Sequence, residues 1–133
     1  MTALPNRLGH PPYAYVIDCA GAQLQVYARG VATVLRIEGE LDAYNADVIG
    51  QAIRRFGRLK APLTLDVSHL KYLGSAGLRA LLITIDEHRR ARLECSVVGG
   101  PALHRLTRLI PDHVLPLVDS IPEGVRPARA TNL

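Results

Sequence analysis

The sequence predicts an α/β protein, with a single layer of mixed, mostly parallel β-sheet and helices packed mainly on one face. In some segments apolar residues alternate with polar ones, and in others they recur at i, i+3 and i+4, so that strands and helices follow in the order ββαβαβ(α). Right-handed crossovers between parallel strands place successive helices on the same side of the sheet. A chain of 133 residues, 48% of them hydrophobic, can form such a core without a metal or disulfide.

The chain is predicted to begin its ordered part with three extended segments. Residues 13–18 form a short strand that ends in a turn at 19–21. Residues 23–28 then alternate polar and apolar side chains, and 31–39 do the same after a tight turn at Arg29 and Gly30. The second and third segments therefore predict a β-hairpin.

Helical periodicity starts at Asn45, which we interpret as the N-cap of a first helix that ends at Gly57. Its apolar face carries Ile49, Ile53 and Phe56. The next segment, 63–67, alternates again and follows a helix. We therefore expect it to be a strand parallel to the one before.

A second helix is predicted to open at Ser75, with its apolar stripe at Leu78, Leu81, Leu82 and Ile85. A further strand at 93–98 leads through a glycine turn into a third helix.

Pro101 suits the first position of that third helix, and Pro111 ends it. The segment 114–118 could add a last strand only at an edge, because Pro116 has no N–H to donate. We expect a flexible arm at 1–12, one domain at 13–120 and a loose tail at 121–133.

Composition argues against several classes of function. A net charge of +4 with one Phe, five Tyr and no Trp does not indicate nucleic-acid binding. Five dispersed histidines and two distant cysteines predict no metal site, no disulfide and no cofactor, with Cys95 a buried thiol. Because the chain has no signal sequence and no apolar run of about 20 residues, we expect a cytoplasmic protein without a membrane insertion.

Two segments that follow strands, 39–43 and 71–77, are the candidate site, because loops at the carboxyl ends of parallel strands become neighbours. Ser75 lies where a helix N-terminus favours negative charge, or it simply caps that helix. No nucleophile elbow is present, because Leu73 stands where that motif needs glycine. Phosphate-loop and dinucleotide motifs are also absent, so no catalytic residues are predicted and the chain is not expected to be an enzyme.

Four segments in order, 39–42, 65–70, 75–82 and 101–106, resemble the STAS domain, the fold of sulfate transporters and anti-sigma factor antagonists. The resemblance extends from Gln23 to Asp119. It implies a bacterial anti-sigma factor antagonist that binds an ATP-binding, kinase-type anti-sigma factor and so releases a sigma factor for transcription, by partner switching. An alternative consistent with the resemblance is an accessory, non-enzymatic STAS subunit of a transport or stressosome-like scaffold assembly. Whether the protein forms a homodimer stays open.

The resemblance also implies which residues contact the partner: Asp42, Gly74, Ser75, Ala76, Gly77 and Arg79. The family carries an Asp-Ser-Ser/Thr-Gly motif whose third residue is phosphorylated. Aligned on Gly77, that acceptor position holds Ala76, and Gly74 replaces the aspartate. The chain is then a module that cannot be switched off at this site, a module switched at Ser75, or a member of another assembly, and we favour the first.

Overall fold

The computed structural model describes residues 15–57, 60–108 and 115–121. Within them lie seven strands and three helices. In chain order these are β1 (Tyr15–Asp18), β2 (Ala22–Arg29), β3 (Ala32–Leu41), α1 (Ala46–Gly57), β4 (Leu63–Asp66), β5 (Leu70–Leu73), α2 (Ser75–Arg90), β6 (Cys95–Val98), α3 (Pro101–Thr107) and β7 (Leu117–Val118).

The strands form one mixed sheet in the order β1-β2-β3-β4-β6-β7, with β5 paired to β3 outside this path. The first three strands are antiparallel neighbours, and the pairs β3–β4, β4–β6 and β6–β7 are parallel. This confirms the predicted hairpin and the mixed, mostly parallel sheet.

A single apolar cluster holds the helices against the sheet. Alternate strand positions such as Leu35, Ile37 and Leu65 are completely buried and belong to the same cluster as Ile49 and Ile53 of α1. The cluster also takes in the buried stripe of α2 and the start of α3. All three helices thus contribute to one core on one face of the sheet, as predicted from the handedness of the crossovers.

Strand β5 was not predicted, because its residues were assigned to the loop before α2. Leu70 and Leu73 are buried while Lys71 and Tyr72 between them are exposed, a pattern without the alternation of an ordinary strand. The strand forms because it continues the sheet along the end of β3, through a register shift between Gly39 and Glu40. The interpretation of this segment as a loop was wrong.

The prediction that Cys95 is buried was wrong. Cys19 is the fully buried thiol, whereas Cys95 is only partly buried, and both are free. Burial raises the pKa of Cys95 to about 11 and also raises that of Cys19. His88 is also buried, which the sequence analysis did not predict.

At the other edge of the sheet, β7 comprises only Leu117 and Val118, directly after Pro116. It lies at the sheet edge, which agrees with the prediction that a strand beside Pro116 can form only at an edge. The predicted arm at 1–12, the helix end at Pro111 and most of the tail lie outside the described residues.

Candidate functional site

The two candidate segments meet at the ends of β3 and β5. Leu41 and Leu73 are register partners in this parallel pair. Immediately beyond them, the Gly74 N–H donates a hydrogen bond to the Leu41 carbonyl at 2.8 Å. The structure therefore confirms that these segments are neighbours, and it joins them through backbone atoms.

The turn between β3 and α1 is fixed by Asn45, which is 1% exposed. Its side-chain oxygen accepts a hydrogen bond from the Asp42 N–H at 3.0 Å. Its amide group donates to the Glu40 carbonyl at 2.8 Å and to the Ala20 carbonyl at 3.1 Å. Asn45 thus links this turn to the β1–β2 turn. Asn45 directly precedes Ala46, the first residue of α1, and its carbonyl accepts a hydrogen bond from the Ile49 N–H, which confirms the predicted N-cap position. Its side chain, however, bonds to the turns before the helix and not to the helix itself.

Asp42 is half-buried within this turn, and its carboxylate accepts a hydrogen bond from the Tyr44 N–H at 2.9 Å. This is an Asx turn, in which a short acidic side chain fixes the backbone two residues on. It leaves Tyr44 83% exposed at the tip. Sequence reasoning did not identify Tyr44, although an aromatic residue beside a candidate loop is a recognisable signal for a binding surface.

Helix α2 begins without a side-chain cap. Gly74 occupies the N-cap position with extended backbone (φ −93°, ψ 174°), and no side chain in the described part of the chain caps it. Ser75 is the first helical residue, and it is exposed. The alternative in which Ser75 caps the helix was wrong, because a cap must precede the first helical residue.

Ala76 is half-buried, and Arg79 is exposed one turn further along α2. Arg79 lies close to Ser75, because residues four apart are neighbours on a helix surface, whereas the Ala76 side chain points about 100° further round the helix. The first turn of α2 contains no acidic residue. The uncapped end of this helix therefore carries uncompensated positive dipole charge.

Gly77 has a packing role that the sequence did not reveal. A Cβ there would lie 2.7 Å from Leu41 Cγ and 2.9 Å from Leu73 Cδ1. Contacts below 3.0 Å force neighbouring atoms to move. Gly77 is itself buried, so it allows α2 to approach the β3–β5 ends.

An open cleft of about 350 Å³ borders the start of α2 and reaches α3. It is lined by Ser75 and Gly74 on one side and by Arg105 on the other, with Tyr72 from β5 beside them. Arg105 and Tyr72 were not predicted as site residues. They lie 30 and 3 residues from Ser75 in sequence, and only the pairing of β5 and the position of α3 bring them together.

No helix among the described residues is both long and apolar enough to cross a membrane. Within 15–57, 60–108 and 115–121, no group of three or more His, Cys, Asp or Glu side chains is placed to hold a metal ion. The described site thus consists of two turns, one helix start and the exposed side chains around them.

Comparisons with known proteins show which proteins this chain resembles. The chain is 37% identical over 87 residues to osmosensory protein A of Mycobacterium tuberculosis (strain ATCC 25618 / H37Rv), an alignment that covers 65% of this chain and 55% of that protein. The chain thus spans about half the length of this curated relative.

Two solved structures share the fold. The crystal structure of an anti-sigma factor antagonist from Mycobacterium paratuberculosis superposes with a TM-score of 0.65 at 29% identity, over 75% of this chain and 87% of that one. The anti-sigma factor antagonist SpoIIAA in its unphosphorylated form gives a TM-score of 0.58 at 17% identity, over 75% and 91% of the two chains, and it supports the fold alone. The STAS domain model matches residues 23–121, and the chain therefore belongs to the STAS domain family.

Proposed function

We propose that this protein is a cytoplasmic anti-sigma factor antagonist, which binds a kinase-type anti-sigma factor and thereby frees a sigma factor. The observation that carries this proposal is the joining of the β3–α1 turn to the start of α2 by the hydrogen bond from Gly74 to Leu41. The structural relative at 29% identity, itself an anti-sigma factor antagonist, supports the same function. Binding of another polypeptide requires no catalytic group, so the protein acts without being an enzyme.

The proposed contact surface, called the α2-start surface below, consists of Asp42, Gly74, Ser75, Ala76, Gly77 and Arg79. Ser75 and Arg79 are its exposed members, while Asp42 and Ala76 are half-buried. The buried Gly77 contributes through packing, since it sets how closely α2 approaches β3. We add Tyr44, because aromatic residues at the centre of an interface often contribute most of the binding energy.

We further propose that phosphorylation at the usual position does not control this complex, because Ala76 has no hydroxyl group. Ser75 is the neighbouring hydroxyl, and its exposure and its freedom from capping make it accessible to a kinase. A phosphate there would lie at the helix N-terminus, where its charge is favourable, and it would add about two negative charges to the contact surface. Whether Ser75 is phosphorylated, or whether only a hydroxyl introduced at position 76 is, therefore decides how the complex is regulated.

Binding is tested by titrating the purified chain into candidate anti-sigma kinases with ADP or ATP, using calorimetry. Arg79→Glu should weaken binding at least tenfold, because it reverses a charge on the proposed surface. The control is Arg90→Glu, about 16 Å further along the same helix, where we expect less than a twofold effect. Equal effects of the two variants would contradict the proposed surface, and no binding in any nucleotide state would contradict the function.

Regulation is tested by intact mass after incubation with the partner kinase and ATP. We expect no phosphate on the wild type and one phosphate on Ala76→Ser. If the wild type is phosphorylated and Ser75→Ala is not, Ser75 is the residue through which the complex is regulated. If no anti-sigma factor binds, the remaining candidate is an accessory subunit of a transport or scaffold assembly, which Ala76 fits because such a role needs no phosphorylation.

A further inference from the structure

A cavity of about 290 Å³ lies between the C-terminal halves of α1 and α2. It is separate from the α2-start surface, because His88 lies thirteen residues after Ser75 on the same helix, a distance of about 20 Å. Ile53, Ala91 and Leu93 supply apolar parts of its lining, and Thr84 and His88 supply polar groups. A small, mostly apolar pocket with a few polar groups is the usual setting for small-molecule binding.

His88 occupies a position that periodicity assigns to the core. It follows Leu81 and Ile85 on the buried stripe of α2, and it is only 5% exposed. Its Nε2 atom is buried and has no hydrogen-bond partner within 15–57, 60–108 and 115–121. A buried polar group without a hydrogen bond is destabilising, and a leucine at this position would avoid that cost. A histidine here is therefore explained best by something that bonds to it.

The polar groups of the cavity indicate which functional group a bound molecule would have. Thr84 donates its hydroxyl proton to the Ala80 carbonyl at 3.3 Å, so its oxygen is left as an acceptor. The Nε2 atom of His88 is the polar atom of this side chain that is left without a partner in the described residues. A ligand hydroxyl group both donates and accepts, and it can therefore serve either side chain.

The charged side chains of the cavity do not favour an ionic ligand. Arg54 and Glu87 line it from the two helices and pair with each other, with 3.6 Å between Arg54 Nε and Glu87 Oε2. The pair contributes no net charge to the cavity. An uncharged molecule with an apolar body is therefore favoured.

We propose that this cavity binds a small neutral molecule with an apolar body and one hydroxyl group, for which His88 provides the hydrogen bond. The site is independent of the proposed partner binding, since it shares no residue with the α2-start surface.

The test compares phenol with toluene, which has nearly the same shape but a methyl group in place of the hydroxyl. Titrations are followed by NMR, using backbone amides near Thr84 and the imidazole nitrogens of His88. We expect phenol to bind with a Kd on the order of 1 mM. Toluene should bind about tenfold more weakly, because it cannot replace one hydrogen bond.

Two variants assign the binding to the cavity. His88→Leu should make the affinities for phenol and toluene equal, and Ala91→Leu should weaken both, because it adds a side chain to the cavity wall at an exposed position. Thermal melting verifies that each variant folds, and the comparison of phenol with toluene in the wild type does not depend on either. The proposal is wrong if neither probe binds at about 10 mM, tenfold above the expected Kd, or if the wild type does not prefer phenol. It is also wrong if the preference survives in His88→Leu.

Discussion

Gly77 and Gly50 are both helical glycines, and the structure predicts opposite effects when each is replaced by alanine. At Gly50, in the middle of α1, the nearest atom to an added Cβ would be Ala80 Cβ at 4.0 Å, which is ordinary contact. Alanine is favoured over glycine in a helix interior by roughly 0.5–1 kcal/mol. Gly50→Ala should therefore stabilise the protein by about that amount.

The same gain in helix propensity is outweighed at Gly77. The new Cβ would lie within 3.0 Å of two branched side chains and 3.1 Å from the Leu41 carbonyl oxygen, a backbone atom that cannot rotate away. Overpacking of this kind costs about 1–3 kcal/mol, and three simultaneous contacts place it in the upper half of that range. After the favourable helix propensity of alanine is subtracted, we expect Gly77→Ala to lower the free energy of unfolding by about 1–2 kcal/mol.

Urea and thermal unfolding, followed by circular dichroism, measure both variants. For a chain of this size 1 kcal/mol corresponds to about 3 °C, so Gly77→Ala should lower Tm by roughly 3–6 °C and Gly50→Ala should raise it by about 2–3 °C. An unchanged denaturant slope would show that only stability has changed. If Gly77→Ala is as stable as the wild type, the close packing of α2 on the β3–β5 ends is wrong.

Three further predictions follow from the described contacts. Asn45→Ala removes three hydrogen bonds at a buried site and should cost about 2–4 kcal/mol in urea unfolding; a loss below about 0.5 kcal/mol would contradict the role given to this side chain. The pKa of Cys95 is raised from 9.0 to about 11, so less thiolate is present at pH 8 in the folded chain. Iodoacetamide should therefore alkylate Cys95 about 100-fold more slowly in the folded than in the urea-unfolded chain. Peptide mass mapping measures the two rates. Similar rates in both states would refute this. Ser75→Asp adds an acidic group to an uncapped helix start and should raise Tm by about 1–3 °C, whereas a decrease would mean that Ser75 makes a contact in the fold.

The sequence was sufficient for the elements whose periodicity is strong and local. The alternation around Leu35 and Ile37 and the helical spacing of Ile49 and Ile53 correspond to completely buried positions. Strand β5 lacked such a signal, because a four-residue strand with two exposed central residues has no period to detect. Its existence depends on pairing with the end of β3, some thirty residues earlier in the chain.

Asn45 occupies the predicted N-cap position of α1, but the bonds of its side chain could not be predicted. An asparagine side chain caps a helix only if no better partner is available. Asn45 bonds instead to the Ala20 carbonyl, 25 residues away, and to the turn before α1. Such long-range partners are set by the fold as a whole, which local preference does not describe.

The contacts that hold the α2-start surface do not require the departure of Gly74 and Ala76 from the family motif. The α2-start surface is held by the backbone bond from Gly74 to Leu41 and by the close approach at Gly77, neither of which uses a side chain at 74, 75 or 76. At Gly74 an added Cβ would meet only the ring of Tyr72, at 3.2 Å from its hydroxyl, and that exposed side chain can move. The proposal that the complex is not controlled at position 76 is therefore tested by Ala76→Ser, which shows whether control can be restored.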